Sequence, residues 1–419
     1  MGKNIGFVST RFAGTDGVSL EAAKWADILE ACGHRCFWFA GELDRPPEQC
    51  LSVPEAFFQH EKNKAIDAAV FGKKRRNRET TEAIHALRGL LKDALYDFID
   101  RFRIDLLVAQ NALTIPMHVP LGLAVAELIA ETQTPTVAHH HDFYWERTRF
   151  SVNAVGDYLR MAFPPNLPSI EHVVINSAAQ EELALRTGIS SAIIPNVIDF
   201  ENPPQVDQKD TEAFRREIGL DPQDFLILQP TRIVQRKGIE HAIELVHELR
   251  DPRFKLVISH EAGDEGFEYA EWLKEHAREM GVDLRLIGTR SPGAPDGPTL
   301  WELYAHADFI TYPSLYEGFG NAFLEAVYYR KPILVNRYAI FVRDIEPMGF
   351  DLIVMDGFLT KKNVQRVREV LESGARREQM TAHNYSVAAR HYSYAVLRRR
   401  LEHLMTGFFG VNSVQERLR

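Results

Sequence analysis

The sequence predicts an α/β protein built from two doubly wound halves in series. Three observations carry that expectation. Short β-rich runs alternate with longer amphipathic stretches, the alternation stops at a connector near Pro195, and it then starts again. A chain of 419 residues is also too long for one ordinary core, so two domains are the natural division.

In the first half, "NIGFVS" reads as a strand and leads into "SLEAAKWADILEACG", whose apolar positions recur at helical spacing up to Gly33. "RCFWFA", "DLLVAQ", "PTVAHHH" and "HVVINS" are the next strand candidates, separated by helical segments. Such alternation implies a parallel sheet with helices on both faces. "IIPNVIDFENPPQVDQKD" has no sustained period and is rich in Pro, Asn and Asp, so it reads as the connector. Beyond it, "DFLILQP", "FKLVISH", "DLRLIG" and "DFITYPS" alternate with "GIEHAIELVHELR", "EYAEWLKEHAREMG" and "LWELYAHA". The halves therefore fall at residues 1–197 and 198–394. An amphipathic helix, "YSYAVLRRRLEHLMTGFF", lies in the final stretch from about 395 to 419 and can pack on either half. No short tandem repeat is present, which argues against a solenoid.

Composition narrows the class further. Hydrophobic residues at 45% and charged residues at 26% describe a soluble globular protein, and a net charge of −9 argues against a general nucleic-acid binder. No apolar run reaches the roughly 18–20 residues of a membrane helix. "MGKNIGFVSTRF" reads as a strand entering a loop rather than a secretion leader, and Gly6 stands where myristoylation requires Ser or Thr. Cys32, Cys36 and Cys50 are odd in number, crowded near one end and without further ligands at zinc spacing. They suit reduced thiols of a cytoplasmic protein, with no metal site. Nothing in the chain indicates an oligomeric state.

The chemistry concentrates in two turns of the second half. "LYEGFG" follows the strand "DFITYPS" and precedes the helix "NAFLEAVYYRK", so it lies at the sheet edge where open α/β proteins bind ligands. A helix N-terminus favours anions, and Gly318 and Gly320 let the backbone approach one closely. Glu317 and Glu325 would repel an anion but suit the vicinal hydroxyls of sugars. "PTRIVQRKG" follows the strand "FLILQ" on the same edge and supplies Arg232, Arg236 and Lys237 for phosphate oxygens. The implied ligand has a diphosphate in its middle and a sugar at each end.

These segments carry a family resemblance. Arg232, Lys237 and Glu317-x7-Glu325 resemble the retaining glycosyltransferases of family 4 (glycosyl transferases group 1), whose GT-B fold has two Rossmann-like domains facing across an inter-domain cleft. "GTDGVSLEAAKWADILEACGH", "LIGTR", "LYAHADFITYPS" and "IIPNVID" are similar to the family in the same order, with Val197 where the family usually has glycine. The resemblance implies a hexosyltransferase using a UDP- or GDP-sugar as donor, without a metal or other cofactor. It further implies that the acceptor binds on the first domain and that the final helix crosses back to it. Arg232 and Lys237 would hold the diphosphate and stabilise the departing nucleotide. Glu325 would bind the nucleotide ribose. Glu317 would hold the donor sugar with the backbone of Gly318, Phe319 and Gly320, next to Asn321. Thr289 and Arg290 would border the base. Gly14 and Gly17 would let the first domain's loop close on phosphates or acceptor, with Asp16 a candidate acceptor contact.

In "AHHHDFYWER" the resemblance places a histidine toward the donor sugar, and His141 before Asp142 matches best. Strand alternation leaves His139 and His141 on one face, so which of the three histidines faces the donor sugar stays open; His139, His140 and Asp142 are also acceptor candidates. The basic segment 73–78 reads as a solvated face or as a site for an anionic acceptor or membrane surface. A small or anionic acceptor is expected, because no extended amphipathic anchor is present. A nucleotide-sugar epimerase or a non-catalytic sugar-nucleotide binder would share these motifs. A nicotinamide enzyme would not, since "FAGTDGVS" lacks the Gly-x-Gly-x-x-Gly spacing.

Overall fold

A computed structural model describes residues 2–14, 16–204, 211–259, 267–289 and 297–410. It divides into two compact units, Met1–Pro195 with Ala395–Arg419, and Asn196–Tyr394.

Unit 1 contains β1 (Asn4–Val8), α1 (Gly17–Ala31), β2 (Arg35–Ala40), β3 (Cys50–Ser52), α2 (Arg78–Phe102), β4 (Leu106–Gln110), α3 (Val119–Thr132), β5 (Thr136–His140), β6 (Ile170–Val174) and β7 (Ala192–Ile193). These strands form one sheet in the order β3-β2-β1-β4-β5-β6-β7, every pairing parallel, and a separate two-stranded sheet pairs Arg11–Phe12 with Glu42–Leu43. β4 and β5 are buried along their whole length, the condition of a strand covered on both faces. α2 shows the matching helical logic. Ile84, Leu87, Leu91, Leu95, Phe98 and Phe102 recur every three or four residues and form its buried stripe. Asn77 caps its N-terminus by accepting from the Thr80 amide at 2.9 Å.

Unit 2 repeats the plan with β8 (Phe225–Gln229), α4 (Glu240–Leu249), β9 (Phe254–Ile258), β10 (Leu284–Leu286), α5 (Leu300–His306), β11 (Phe309–Tyr312), α6 (Asn321–Tyr328), β12 (Ile333–Asn336), β13 (Ile353–Met355) and α7 (Gly374–Tyr392). Its parallel sheet runs β10-β9-β8-β11-β12-β13. α8 (Tyr394–Phe409) follows, and from Ala395 onward it belongs to unit 1, burying Leu397, Leu401, Leu404 and Met405.

The nine strands read from sequence are all present, and the two sheets gain four more. β3 and β7 lie at the two edges of the first sheet, and β12 and β13 complete one flank of the second. With two to four residues each, they are too short to establish a period. The final amphipathic segment also differs from its reading as one helix. Ser393 is extended (φ −89°, ψ 167°) and bridges Ile198, so α7 stops at Tyr392 and α8 begins anew.

Candidate active site

In each sheet the strand order reverses beside the first strand, between β1 and β4 and between β8 and β11. Loops leaving opposite faces open a crevice at such a point, beyond the carboxyl ends of the strands. In unit 2 those loops are residues 230–238 and 313–320, the two segments singled out by sequence.

Hydrogen bonds stitch the loops together. The Leu315 amide donates to the Arg236 carbonyl at 2.9 Å, and Arg236 Nη1 donates to the Tyr316 carbonyl at 3.0 Å. Beneath them Thr311 Oγ1 donates to Gln229 Oε1 and Gln229 Nε2 to Thr231 Oγ1, each at 2.8 Å, inside the core. Gly238 has φ +59°, and a Cβ there would lie 2.7 Å from the Pro313 carbonyl oxygen. The close approach of the two loops therefore excludes a side chain.

This stitching brings two charges together. Lys237 Nζ donates to Glu317 Oε1, and Arg236 Nη1 lies 3.5 Å from Glu317 Oε2. Lys237 and Glu317 are both buried. Burial drives the lysine's pKa below its ordinary value, against the opposing pull of Glu317. Burial also works to raise the glutamate, but the Lys237 charge and hydrogen bond overcome it and hold Glu317 below the usual carboxylate range. The exposed Arg232 adds its positive charge to the field at Lys237. The turn thus presents Arg232 and Arg236 to solvent, with a lysine–glutamate pair set behind them.

Glu317 is followed by a tightly specified turn. Gly320 has φ +117°, and a Cβ there would meet Tyr338 Oη at 2.3 Å. That hydroxyl instead donates to the Phe319 carbonyl at 2.9 Å, while the buried Phe319 ring packs edge-on against Tyr392. Gly318 lies half-buried between Glu317 and Phe319. α6 then opens at Asn321, whose Oδ1 accepts from Asn196 Nδ2 at 2.7 Å. Glu325 lies further along α6 and accepts from Tyr304 Oη at 2.8 Å. Thr289 follows β10 at the same sheet edge, whereas Arg290 lies outside the described residues. Tyr304 and Tyr338 were not picked from sequence, because a tyrosine on an apolar stripe carries no signal separating a hydrogen-bonding role from packing.

Unit 1 presents a different edge. Asp16 caps α1, accepting from the Val18 and Ser19 amides at 3.1 and 3.2 Å, and pairs with Arg11 at 3.1 Å. Gly14 holds φ +74° and donates its amide to Asp44 Oδ2 at 2.8 Å, and Gly17 begins α1. His139 and His141 share a face, as strand alternation requires, with ring centroids 4.4 Å apart. His139 is buried and stacks on Trp25 at 4.3 Å. Half-buried His141 places Nε2 3.3 Å from Gln110 Oε1. Burial lowers its pKa to about 4, despite the opposing charges of Asp142 and Asp16. Asp142 is held by Asn111 Nδ2 at 3.2 Å and by Arg147.

His140 points the other way. Its Nδ1 lies 2.5 Å from Thr114 Oγ1 and its Nε2 lies 2.9 Å from His172 Nδ1. His172 in turn donates to the Pro165 carbonyl, and burial lowers its pKa to about 4. That end of the chain fixes the tautomers: His172 Nδ1 accepts, so His140 Nε2–H donates and His140 Nδ1 accepts from Thr114. Both ring nitrogens of His140 are thereby used inside unit 1.

In the basic segment, Lys73, Lys74 and Arg75 are exposed, but Arg76 clasps Asp157 at 2.7 and 2.5 Å. Among the described residues, no group of three or more His, Cys, Asp or Glu is arranged to hold a metal ion, and no helix is long and apolar enough to cross a membrane.

Paired Rossmann-like sheets, with a cationic turn and a Glu-x7-Glu segment at the second switch point, define a glycosyltransferase of the GT-B fold. Solved structures agree on the fold. A glycosyltransferase from Rickettsia africae superposes with TM-score 0.71 at 13% identity, covering 98% of this chain and 99% of that one. Anabaena HepE, solved with UDP and glucose, gives 0.67 at 13% identity over 97% and 100%. The chain belongs to the glycosyl transferases group 1 family, whose model matches residues 210–387. It is 32% identical to mannosylglucosylglycerate synthase of Thermotoga maritima, over 90% of this chain and 94% of that protein. The Petrotoga mobilis enzyme of the same name is also 32% identical, over 83% and 86%.

Proposed function

We propose that the chain transfers a mannosyl group from a nucleoside-diphosphate mannose to glucosylglycerate, with retention of anomeric configuration and without a metal ion. The observation that carries this reading is the stitched pair of loops at the β8/β11 switch point, which gathers Arg232, Arg236, Lys237 and Glu317. The donor class follows from that charge pattern. Arg232 and Lys237 take the diphosphate, and Glu317, with the backbone from Gly318 to Gly320, takes the sugar. The acceptor follows from the two relatives' names, and its carboxylate agrees with the small or anionic acceptor expected from sequence.

The chemistry asked of these residues is electrostatic. The bond from the anomeric carbon to the β-phosphate oxygen breaks as the bond to the acceptor oxygen forms on the same face. The acceptor's hydroxyl proton passes to the departing phosphate. Negative charge grows on that phosphate, and the cationic turn stabilises it without reorganising. In this reading Arg232 and Lys237 supply the charge that a divalent ion supplies elsewhere. His141, held neutral, offers a hydrogen bond to a substrate hydroxyl rather than a mobile proton. The protein acts in the cytoplasm, where activated sugars are made.

The test is turnover with UDP- and GDP-mannose, each offered glucosylglycerate or glucosyl-3-phosphoglycerate. The second acceptor is included because a mannosylglucosyl-3-phosphoglycerate synthase of Petrotoga mobilis is 25% identical over 59% of this chain. A mannosylated glucosylglycerate with the donor's anomeric configuration, formed in the presence of EDTA, is the expected product. Inverted product, or activity abolished by EDTA and restored by Mg²⁺, would overturn the corresponding part. Epimerised donor formed without acceptor would point to the isomerase instead.

A further inference from the structure

We propose that Tyr304 is a positioning residue for nucleotide recognition, orienting the Glu325 carboxylate so that it discriminates ribose hydroxyls. This deepens the reading above and rests on its assignment of Glu325 to the ribose.

The argument begins with burial. Tyr304 sits on α5 with no exposed surface, so its hydroxyl must find a partner inside the protein. It donates to Glu325 Oε2 at 2.8 Å and lies 3.3 Å from the Ala322 carbonyl, both on α6. The ring is held as firmly as the hydroxyl. Its plane lies 12° from that of Tyr329 with centroids 5.6 Å apart, and Trp301 stacks on Tyr329 at 6.1 Å and 15°. Tyr329 directly follows α6, so the stack ties α5 to the end of the helix that carries Glu325.

A glutamate has three rotatable bonds, and one on a helix beside solvent samples several of their combinations. Recognition of a vicinal diol needs one of them, and each rotamer lost on binding weakens affinity. A hydroxyl fixed by a buried ring stack selects that rotamer before the ligand arrives. Burial first, and then the Glu325 charge, drive the phenol's pKa well above its ordinary value, so the group stays a donor throughout the working pH range. A hydrogen bond to a charged acceptor is among the stronger ones a side chain makes, enough to set the rotamer.

The experiment is calorimetric titration of UDP and GDP against their 2′,3′-dideoxy counterparts, with no acceptor present. The readout is the affinity ratio between ribo and dideoxy ligands. Tyr304→Phe keeps the ring stack and deletes one oxygen. It is expected to keep a melting temperature within a few degrees of wild type while lowering the ratio about tenfold. Glu325→Ala is expected to bring the ratio close to one, and adding Tyr304→Phe to it should change nothing more. If Glu325→Ala collapses the ratio and Tyr304→Phe leaves it unchanged, the positioning role is overturned while the ribose assignment stands. If Glu325→Ala itself leaves the ratio intact, the ribose assignment falls and the Tyr304 role falls with it. A loss of melting temperature in Tyr304→Phe at unchanged ratio would mark the tyrosine as structural.

Discussion

The two units share a topology but not a chemistry. Both sheets reverse order beside their first strand, yet the edge of unit 2 is built from paired and exposed charges, whereas the edge of unit 1 is lined by histidines held neutral. Burial acts on both edges, but its outcome differs. In unit 2, Lys237 and Glu317 are buried together; the lysine overcomes the glutamate's desolvation, while the glutamate offsets the lysine's only in part. In unit 1, burial dominates, the histidines have no close anionic partner strong enough to offset it, and they remain uncharged. A single fold plan can thus supply one edge that carries fixed charge and another that is lined by neutral rings.

The largest expected effect falls on the charged edge. Lys237→Ala should lower turnover about 10²–10³-fold, as loss of one preorganised electrostatic donor does. It also leaves the buried Glu317 with only the more distant Arg236 charge beside it, so stability falls by up to about 3–5 kcal/mol. Steady-state kinetics and urea unfolding read the two effects separately. Full activity would remove Lys237 from the mechanism, and Arg232→Ala, exposed in the resting protein, should lose turnover without the stability penalty.

Gly320→Ala tests the backbone beneath the same edge. Its φ of +117° and the clash at Tyr338 Oη predict a loss of about 2 kcal/mol or more. Thermal denaturation would show it, and an unchanged melting temperature would contradict the geometry.

Unit 1 makes its own prediction with pH, through two buried histidines behind its neutral edge. His118 and His172 are buried, with pKa lowered by burial to about 4 from an ordinary 6.5. Between those values the unfolded chain binds protons that the folded one does not. Stability is therefore full above pH 6.5 and is lost as pH falls toward 4. At pH 5 each such histidine costs on the order of 2 kcal/mol. Three of the five tryptophans, Trp25, Trp38 and Trp145, lie in unit 1, so the fluorescence change on urea unfolding at pH 7.5 and 5 is weighted toward that unit. Equal midpoints at the two pH values would mean that the histidines are not held neutral.

The smallest effect is expected at His141. A residue that offers one neutral hydrogen bond should cost about 3–10-fold in kcat/KM when replaced by Phe. A loss of 10³-fold or more would make it an acid–base group and dissolve the contrast between the edges.

Sequence revealed the charged edge more fully than the neutral one. Arg232, Lys237, Glu317 and Glu325 could be found because charge and glycine in a strand–turn–helix setting carry a local signal. The Lys237–Glu317 pairing was not visible, since it joins segments 80 residues apart through the sheet. "HHH" told which two rings share a face, but not that His140 turns inward to Thr114 and His172. Only the fold brings those partners to it. Tyr304 and Trp25 were silent for a related reason, because each occupies an apolar stripe that predicts burial and says nothing of what the ring touches.

A crystal structure with a bound nucleoside-diphosphate sugar tests the central claim most directly. The diphosphate is expected at the β8/β11 switch point, within hydrogen-bond distance of Lys237 Nζ and the Arg232 guanidinium, with the ribose at Glu325. A diphosphate bound at the histidine-lined edge of unit 1, with Lys237 still locked to Glu317, would contradict it.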